Sequence, residues 1–194
     1  MIALVWCGIA VAAPAGAVVG LAGACFVESG GARAPLRLAA AVQVGDTVDV
    51  PADGKLKLRM ADGSVVSVGS GSRMTVTAYG VAANGQREDA KLSLASGVVR
   101  AEVTPTSQPA GFEVDTAVGA AAVRSTDWFA VATPGAMQVG VLTGAVVMTS
   151  AATGRGVTIP ARWGARLEAG RDPVPPRVWS QAEFDAVIAR TDVR

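Results

Sequence analysis

The chain predicts an all-β domain of many short strands, β-solenoid-like or sandwich-like, closed by one short C-terminal helix. Three observations carry that expectation. Apolar and polar residues alternate in short runs from about residue 42 to residue 167, as in Lys55-Leu56-Lys57-Leu58-Arg59-Met60. Turn signals such as Asp53-Gly54, Asp62-Gly63 and Asn84-Gly85 separate those runs. Near the end, Ser180 is followed three residues later by Glu183, a capping box, and Phe184, Val187 and Ile188 then fall on one helical face.

Composition agrees with this reading. The 194 residues include 23 glycines and 10 prolines, which suits tight turns between β-branched strands. The length suffices for one domain with its own core. The formal net charge of +1 supplies no field that would steer the chain to nucleic acid, and no nucleic-acid partner is expected.

Strands are expected at 42–44, 47–50, 55–60, 64–68, 73–79, 91–94, 98–103, 112–115, 120–124, 128–132, 137–142, 145–149, 157–159 and 163–167, with a turn at Ala95-Ser96-Gly97. Alternation assigns Leu56, Leu58, Met60, Leu92, Leu94, Val114, Val123, Phe129, Val131, Val139 and Val141 to the core and turns Lys55, Lys57 and Arg59 to water. Trp128 and Trp163 are expected as core or corner residues, because large aromatics on strands supply buried area. Trp179 stands before the cap, where it can pack on Phe184.

The first charged residue is Glu28, so residues 1–29 read as a leader or membrane anchor. Ala22-Gly23-Ala24 supplies an A-x-A cleavage pattern that would leave Cys25 first. Leu21-Ala22-Gly23-Ala24-Cys25 resembles a lipobox with its leucine one place early. Residues 30–35 then serve as a linker, 30–170 as the β-domain, and 171–194 as a Pro-rich segment with the short helix. A periplasmic location follows from this reading, with membrane anchoring through the N-terminal segment as its variant.

Catalytic chemistry finds little support. The chain has no histidine, which removes every Ser-His-Asp arrangement. Its lysines are Lys55, Lys57 and Lys91, all at solvent-facing strand positions, so a Ser-Lys nucleophile has no buried base. Asp46, Asp49, Asp53 and Asp62 occupy separate turns without calcium-loop spacing. No catalytic residue, cofactor or metal is therefore expected. Two places are candidates for partner contact: the polar corner Arg124-Ser125-Thr126-Asp127 between two apolar strands, and the basic stripe Lys55, Lys57 and Arg59. Each has a plainer explanation, as a turn whose side chains bond local backbone and as the outer face of a strand.

Several segments together resemble the FecR domain, the periplasmic signalling domain of ferric-citrate regulators. They are Val44-Gly45-Asp46, residues 58–66 around Ala61-Asp62-Gly63-Ser64, Leu92-Ser93-Leu94 with Gly97-Val98-Val99, Phe112-Glu113-Val114-Asp115-Thr116, Val123-Arg124-Ser125-Thr126-Asp127-Trp128-Phe129, and Val141-Leu142-Thr143-Gly144. Members tend to carry Arg-Gly-Thr at the corner, so Ser125 departs from the pattern at a place where a positive-φ glycine would stand. The resemblance implies a solenoid-like β fold, no catalysis, and protein–protein signalling with an envelope protein or cell-wall component as partner. The chain leaves no room for the cytoplasmic sigma-factor-binding segment of well-known members, so the resemblance points to a standalone exported module. A scaffold subunit of an envelope assembly is the alternative.

Overall fold

A computed structural model describes residues 14–107 and 111–193. The strands are β1 (Gly16–Ala22), β2 (Phe26–Ser29), β3 (Ala32–Pro35), β4 (Ala41–Val42), β5 (Thr47–Val50), β6 (Lys55–Met60), β7 (Val65–Val68), β8 (Ser72–Val81), β9 (Arg87–Glu102), β10 (Phe112–Asp115), β11 (Gly119–Val123), β12 (Asp127–Thr133), β13 (Ala136–Thr143), β14 (Ala145–Ser150), β15 (Gly156–Pro160), β16 (Trp163–Glu168) and β17 (Arg177–Val178). Helix α1 (Gln181–Thr191) follows. The fold is all-β with one short C-terminal helix.

The strands form two facing sheets. One runs β4-β1-β6-β7-β9-β12-β13-β16-β17. The other runs β3-β2-β5-β8-β9-β10-β11-β14-β15. Hairpins alternate between the sheets as the chain advances, so both sheets grow in the same direction around one core. This combines the stepwise advance of a solenoid with the two-layer core of a sandwich. These pairings are antiparallel except β9–β10.

Strand β9 joins the sheets. Its first half pairs with β8 and its second half with β7 and β12. The turn expected at Ala95-Ser96-Gly97 is instead a bulge in one continuous strand. The register slips between Arg73 and Met74, leaving Ala95 unpaired, and Gly97 adopts φ 91°. A Cβ at Gly97 would lie 2.1 Å from Ser72 Oγ. Ser72 closes the gap in the ladder: its hydroxyl accepts from Val98 N at 2.8 Å and donates to Val98 O at 3.2 Å. A glycine bulge bends a strand as sharply as a turn breaks it, and the sequence signal is the same.

The expected core residues on β6, β9, β10, β11 and β13 are buried in the shared core. Strand β12 corrects the pattern. Trp128, Ala130 and Ala132 face that core, whereas Phe129 and Val131 belong to a second cluster on the outer face, with Leu142, Trp179 and Phe184. Helix α1 packs over this face, burying Phe129 and leaving Val131, expected to be largely buried, only half-buried. Two glycines cut the seat. A Cβ at Gly140 would meet the Phe129 ring at 2.3 Å, and one at Gly164 would meet Trp179 at 2.1 Å. Gly140 and Gly164 are cross-strand partners, so two adjacent aromatic rings sit against bare backbone. The Phe129, Trp179 and Phe184 ring centroids are 5.5–6.0 Å apart, the tilted and edge-on spacing that favours aromatic pairs.

The helix begins as expected. Ser180 caps Glu183 N, and the Glu183 carboxylate accepts from Ser180 N at 2.8 Å. Its C-terminal end is held by Lys55 Nζ, which donates to Ala189 O at 2.7 Å and Asp192 O at 3.1 Å. The Pro-rich segment before it shields an edge: Val174 N donates to Arg166 O at 2.8 Å, while the flanking prolines offer no donors for further pairing.

At the other end, residues 30–35 are not a linker. They complete hairpin β2–β3, whose two turn residues Gly30 and Gly31 both have positive φ, the twist-matched hairpin turn. Residues 16–29, read from sequence as part of a leader or anchor, form β1 and β2. Residues 1–13 lie outside the described residues. Cys25 is buried, its Sγ 3.6 Å from Lys55 O, and burial raises its pKa above the ordinary thiol value. Among the described residues no helix is long and apolar enough to cross a membrane.

Replacing Gly97 by Val should lower the stability to urea by about 2–4 kcal/mol, through left-handed strain plus the clash with Ser72. Gly85→Ala, at φ 80° but with nothing within 4 Å, should cost only about 1 kcal/mol. Equal losses would place the Gly97 cost in φ alone.

Helix docking should also be acid-labile. The Arg177 guanidinium, with the Ser180 backbone cap, holds Glu183 down at about 2. A depressed carboxylate stabilises above its ordinary value and loses that contribution as pH falls through the folded value. Amide protection in residues 184–191 should therefore fall between pH ~4.5 and ~2 before that of β12 does. Simultaneous loss in both would contradict it.

Candidate functional site: the corner between the two sheets

The residues Arg124, Ser125 and Thr126 lead the chain from β11 in one sheet to β12 in the other. The corner backbone is held from three sides. Thr126 O accepts from Val103 N at 3.0 Å. Thr126 Oγ1 donates to Ala145 O at 3.1 Å. Arg124 O accepts from Arg87 Nη2 at 2.9 Å. Asp127 completes the corner, taking a bidentate contact from Arg100 Nε at 2.9 Å and Nη2 at 2.8 Å.

Arg87 is the deepest part of this arrangement. Its side chain is 1% exposed and pairs with Asp62, which is 2% exposed. The Asp62 carboxylate also accepts from Tyr79 Oη at 2.7 Å, Ser64 N at 2.9 Å and Ser64 Oγ at 2.8 Å. Ser64 Oγ in turn accepts from Thr104 N at 3.0 Å. Burial raises the Asp62 pKa, and the hydrogen bonds from Tyr79, Ser64 and Arg87 outweigh burial and hold it below the ordinary carboxylate range. Burial and the Asp62 contact raise the Tyr79 pKa, so its hydroxyl stays a donor. The Asp62-Gly63 turn is thus an anchor for the corner.

The corner has no left-handed residue at Ser125, since the described non-glycine residues with positive φ are Ala39 and Arg162. The left-handed glycine sits opposite instead. Gly144 has φ 82°, and a Cβ there would lie 2.8 Å from Thr126 Oγ1 and 2.9 Å from Ser125 O. Ser125 itself needs no left-handed backbone, and the close approach at the corner is made by Gly144.

Arg124 and Ser125 themselves are exposed. They stand between two open clefts. One, of about 340 Å³, is lined by Gly63, Val65, Glu102, Thr126, Asp127 and others. The second, of about 570 Å³, is lined by Ala122, Val123, Arg124, Ser125, Ala145 and Val147 among others. Its walls are small and apolar, and Val147 is 47% exposed there.

The basic stripe divides. Lys55 is spent on the carbonyls at the end of α1. Lys57 is half-buried and Arg59 is exposed. Arg59 pairs with Val65, Val65 with Glu102, and Glu102 with Asp127. Arg59 and the corner therefore share one row across the outer face, three strand spacings or about 14 Å apart. The structure brings Arg59 and the corner into one strip and sends Lys55 elsewhere. The acidic residues considered for calcium are dispersed: Asp46 accepts from Gln43 N at 2.8 Å, Asp49 pairs with Arg33 at 2.5 Å, and Asp62 binds Arg87. Lys91 bridges Glu113 at 2.8 Å and Asp115 at 2.9 Å on the outer face of the other sheet. Trp128 is buried, and Trp163 is 36% exposed at the start of β16.

Sequence reasoning missed Arg87. Counting back by twos from Leu94 and Leu92 puts position 87 outside. The register slips between Gly80 and Val81, so Val81 pairs with Arg87 and Gly80 with Asp89. That bulge turns Arg87 inward.

An all-β two-sheet domain with a locked, solvent-facing corner is the class of protein these features define. The family model described as FecR protein matches residues 46–147, and the chain belongs to that family. Two crystal structures of a candidate anti-sigma factor from Parabacteroides distasonis ATCC 8503 share the fold. Each has a TM-score of 0.60 and 15% identity over 72% of this chain, covering 63% and 62% of the respective solved chains. The chain thus spans less than two thirds of those neighbours. None of the curated proteins matches it.

Arg87→Ala should cost about 3–5 kcal/mol in urea unfolding, because it leaves Asp62 buried and unpaired. Arg124→Ala, at an exposed side chain, should change stability by no more than about 0.5 kcal/mol. A costly Arg124→Ala would make the corner's outer side structural.

Proposed function

We propose that this chain is a noncatalytic, exported regulatory module that binds an envelope protein or cell-wall component through the corner Arg124–Asp127 and the adjoining strip ending at Arg59. The observation that carries the reading is the corner's construction. Its backbone is locked from inside by Arg87, Val103 and Thr126, while Arg124 and Ser125 face solvent between two clefts. Holding the backbone of a contact residue in advance lowers the ordering cost of binding. Thr126 and Asp127 serve as the frame, and Arg124 and Ser125 as the contacts. Lys57 extends the strip, whereas Lys55 holds the helix.

Membership in the FecR protein family supports signalling at the periplasmic side of an envelope, and the anti-sigma description of the fold neighbours is consistent with regulation. The uncharged run before Glu28 supports export.

A photo-crosslinking side chain placed at 125, at 57 or at 153 in the full chain tests the contact in living envelopes. Position 125 should give a discrete adduct, position 57 a weaker one, and Thr153, in an exposed turn beyond the end of β14 opposite Ala145, none. Arg124→Glu should reduce the adduct at 125 at least tenfold without changing the thermal midpoint. Adducts at 57 alone would move the binding face to the stripe, and adducts at none of the three would overturn the reading.

A further inference from the structure

The turn between β8 and β9 carries a reactive pair of residues outside the corner. Asn84 is the only asparagine among the 194 residues, and Gly85 follows it. Both are exposed. Gly85 has φ 80° and nothing within 4 Å of where a Cβ would stand, so no side chain screens its amide nitrogen. The Asn84 side chain folds back over its own turn, and its Oδ1 accepts from Gln86 N at 3.0 Å. That bond closes a ring across Gly85, so the side-chain carbonyl is held against the peptide that can attack it. Attack at Cγ puts negative charge on Oδ1, where the Gln86 N–H already points, an arrangement that stabilises a developing oxyanion. One bond opposes the attack: Gly85 N donates to Ala82 O at 2.9 Å. Releasing a single exposed backbone bond slows the reaction by about tenfold at most.

The Asp-Gly pairs lack this exposure. The Asp62 carboxylate is kept ionised by its bonds to Tyr79, Ser64 and Arg87, and an anion resists a nucleophile. Gly54 is buried, and a Cβ there would meet Val50 Cγ1 at 3.1 Å. The Asn84 turn also holds something in place. Ala82 N donates to Gln86 O at 2.9 Å, which fixes where Gln86 stands. Gln86 Oε1 then clamps the loop that follows β9: it accepts from Thr106 Oγ1 at 2.7 Å, Ser107 N at 2.9 Å and Ser107 Oγ at 3.2 Å. Gly85, Gln86, Arg87 and Thr104 share the lining of one cavity of about 30 Å³, so the turn adjoins the group that locks the corner.

We propose that Asn84 is a modification site: the chain deamidates there without an enzyme, and the isoaspartate product releases the Gln86 clamp. Gly85 N gives its proton to hydroxide and forms a bond to Asn84 Cγ. The Cγ–Nδ2 bond breaks, and Nδ2 takes a proton from water and leaves as ammonia, which regenerates the hydroxide. The product is a cyclic succinimide, and water opens it. Breaking the new N–Cγ bond restores the original main chain with aspartate at position 84. Breaking the old peptide bond instead leaves the main chain running through Cβ and Cγ, as isoaspartate. Nothing is oxidised or reduced. Aspartate can still accept from Gln86 N, as this residue type does in turns. Isoaspartate adds a carbon to the main chain inside the turn that the Ala82–Gln86 bond spans, and so displaces Gln86 from Thr106 and Ser107.

The test is peptide mapping of the full chain held in mildly alkaline buffer below its thermal midpoint, beside a synthetic peptide of residues 81–88. Asn84 should exchange the mass of NH2 for that of OH at a rate within about tenfold of the peptide, and an isoaspartyl methyltransferase should label the product. A slower rate, or no label, overturns the proposal. Gly85→Ala should slow the conversion on the order of tenfold, because its methyl group crowds the attacking nitrogen; an unchanged rate contradicts the succinimide route. Amide exchange at Ser107 reads the clamp. It should rise at least tenfold in the aged, isoaspartate-containing fraction and keep its unmodified value in Asn84→Asp. Unchanged protection in the aged fraction overturns the release, and equal loss in Asn84→Asp overturns the role of the lengthened main chain.

Discussion

The ion pair between Arg87 and Asp62 is the constraint on which the functional end of this molecule depends. Both side chains are almost fully buried, and two charges taken out of water cost several kcal/mol each unless their remaining donors and acceptors are met. Here most of them are met by distant pieces of chain: the Asp62-Gly63-Ser64 turn, Tyr79 on β8, the backbone at Thr104 and the carbonyl of Arg124, while Arg87 Nε is left without a hydrogen-bond partner. The partners of Arg87 lie in three separate loops: Asp62 and Ser64 in one, Thr104 in the second and Arg124 in the third. Apolar residues of equal volume could fill the space, but would not dictate where the Arg124 carbonyl goes. The pair converts three separate turns into one rigid end of the sandwich.

A second constraint works at the centre. Strand β9 spends its first half in one sheet and its second half in the other, and Gly97 with Ser72 makes that crossing possible. Because the sheets share this strand, the core is continuous, and the corner at Arg124–Thr126 repeats the crossing one hairpin later. Helix α1 acts on the opposite side. It covers the outer face of β12, so one strand separates two apolar clusters. The corner and the helix thus meet β12 at its start and, through Phe184 against Phe129, in its middle. What the corner presents to solvent is set by a strand packed on both faces.

Much of this was legible in the sequence. Alternation located β5, β6 and β10 to the residue, and the capping box located α1, because both signals are local and periodic. What escaped were places where the local signal serves two geometries. Ala95-Ser96-Gly97 reads as a turn and is a bulge. Gly30-Gly31 reads as linker and is a hairpin turn. Phe129 reads as core, which is true, but of the wrong cluster, since period-2 alternation cannot say that a helix far along the chain covers the outer face. Arg87 escaped for a similar reason: one bulge inverted its parity. Of the candidate site, Arg124–Asp127 was named correctly as a corner, while the group that locks it was invisible. Within the apolar opening segment read as leader, residues 16–22 form β1, because uncharged runs of small residues suit either fate.

The claim at the centre of this account is that buried Arg87 holds the corner in place by its contact with the Arg124 carbonyl. Arg87→Lys separates that contact from the ion pair, since an ammonium can still meet Asp62 but lacks the planar fork that reaches a second acceptor. Amide hydrogen exchange, measured residue by residue in the wild type and in this variant, reads the result. The account predicts that exchange at Ser125 and Thr126 rises at least tenfold while the amides of β6 and β13 keep their protection. Unchanged protection at the corner, with the variant folded, would contradict it.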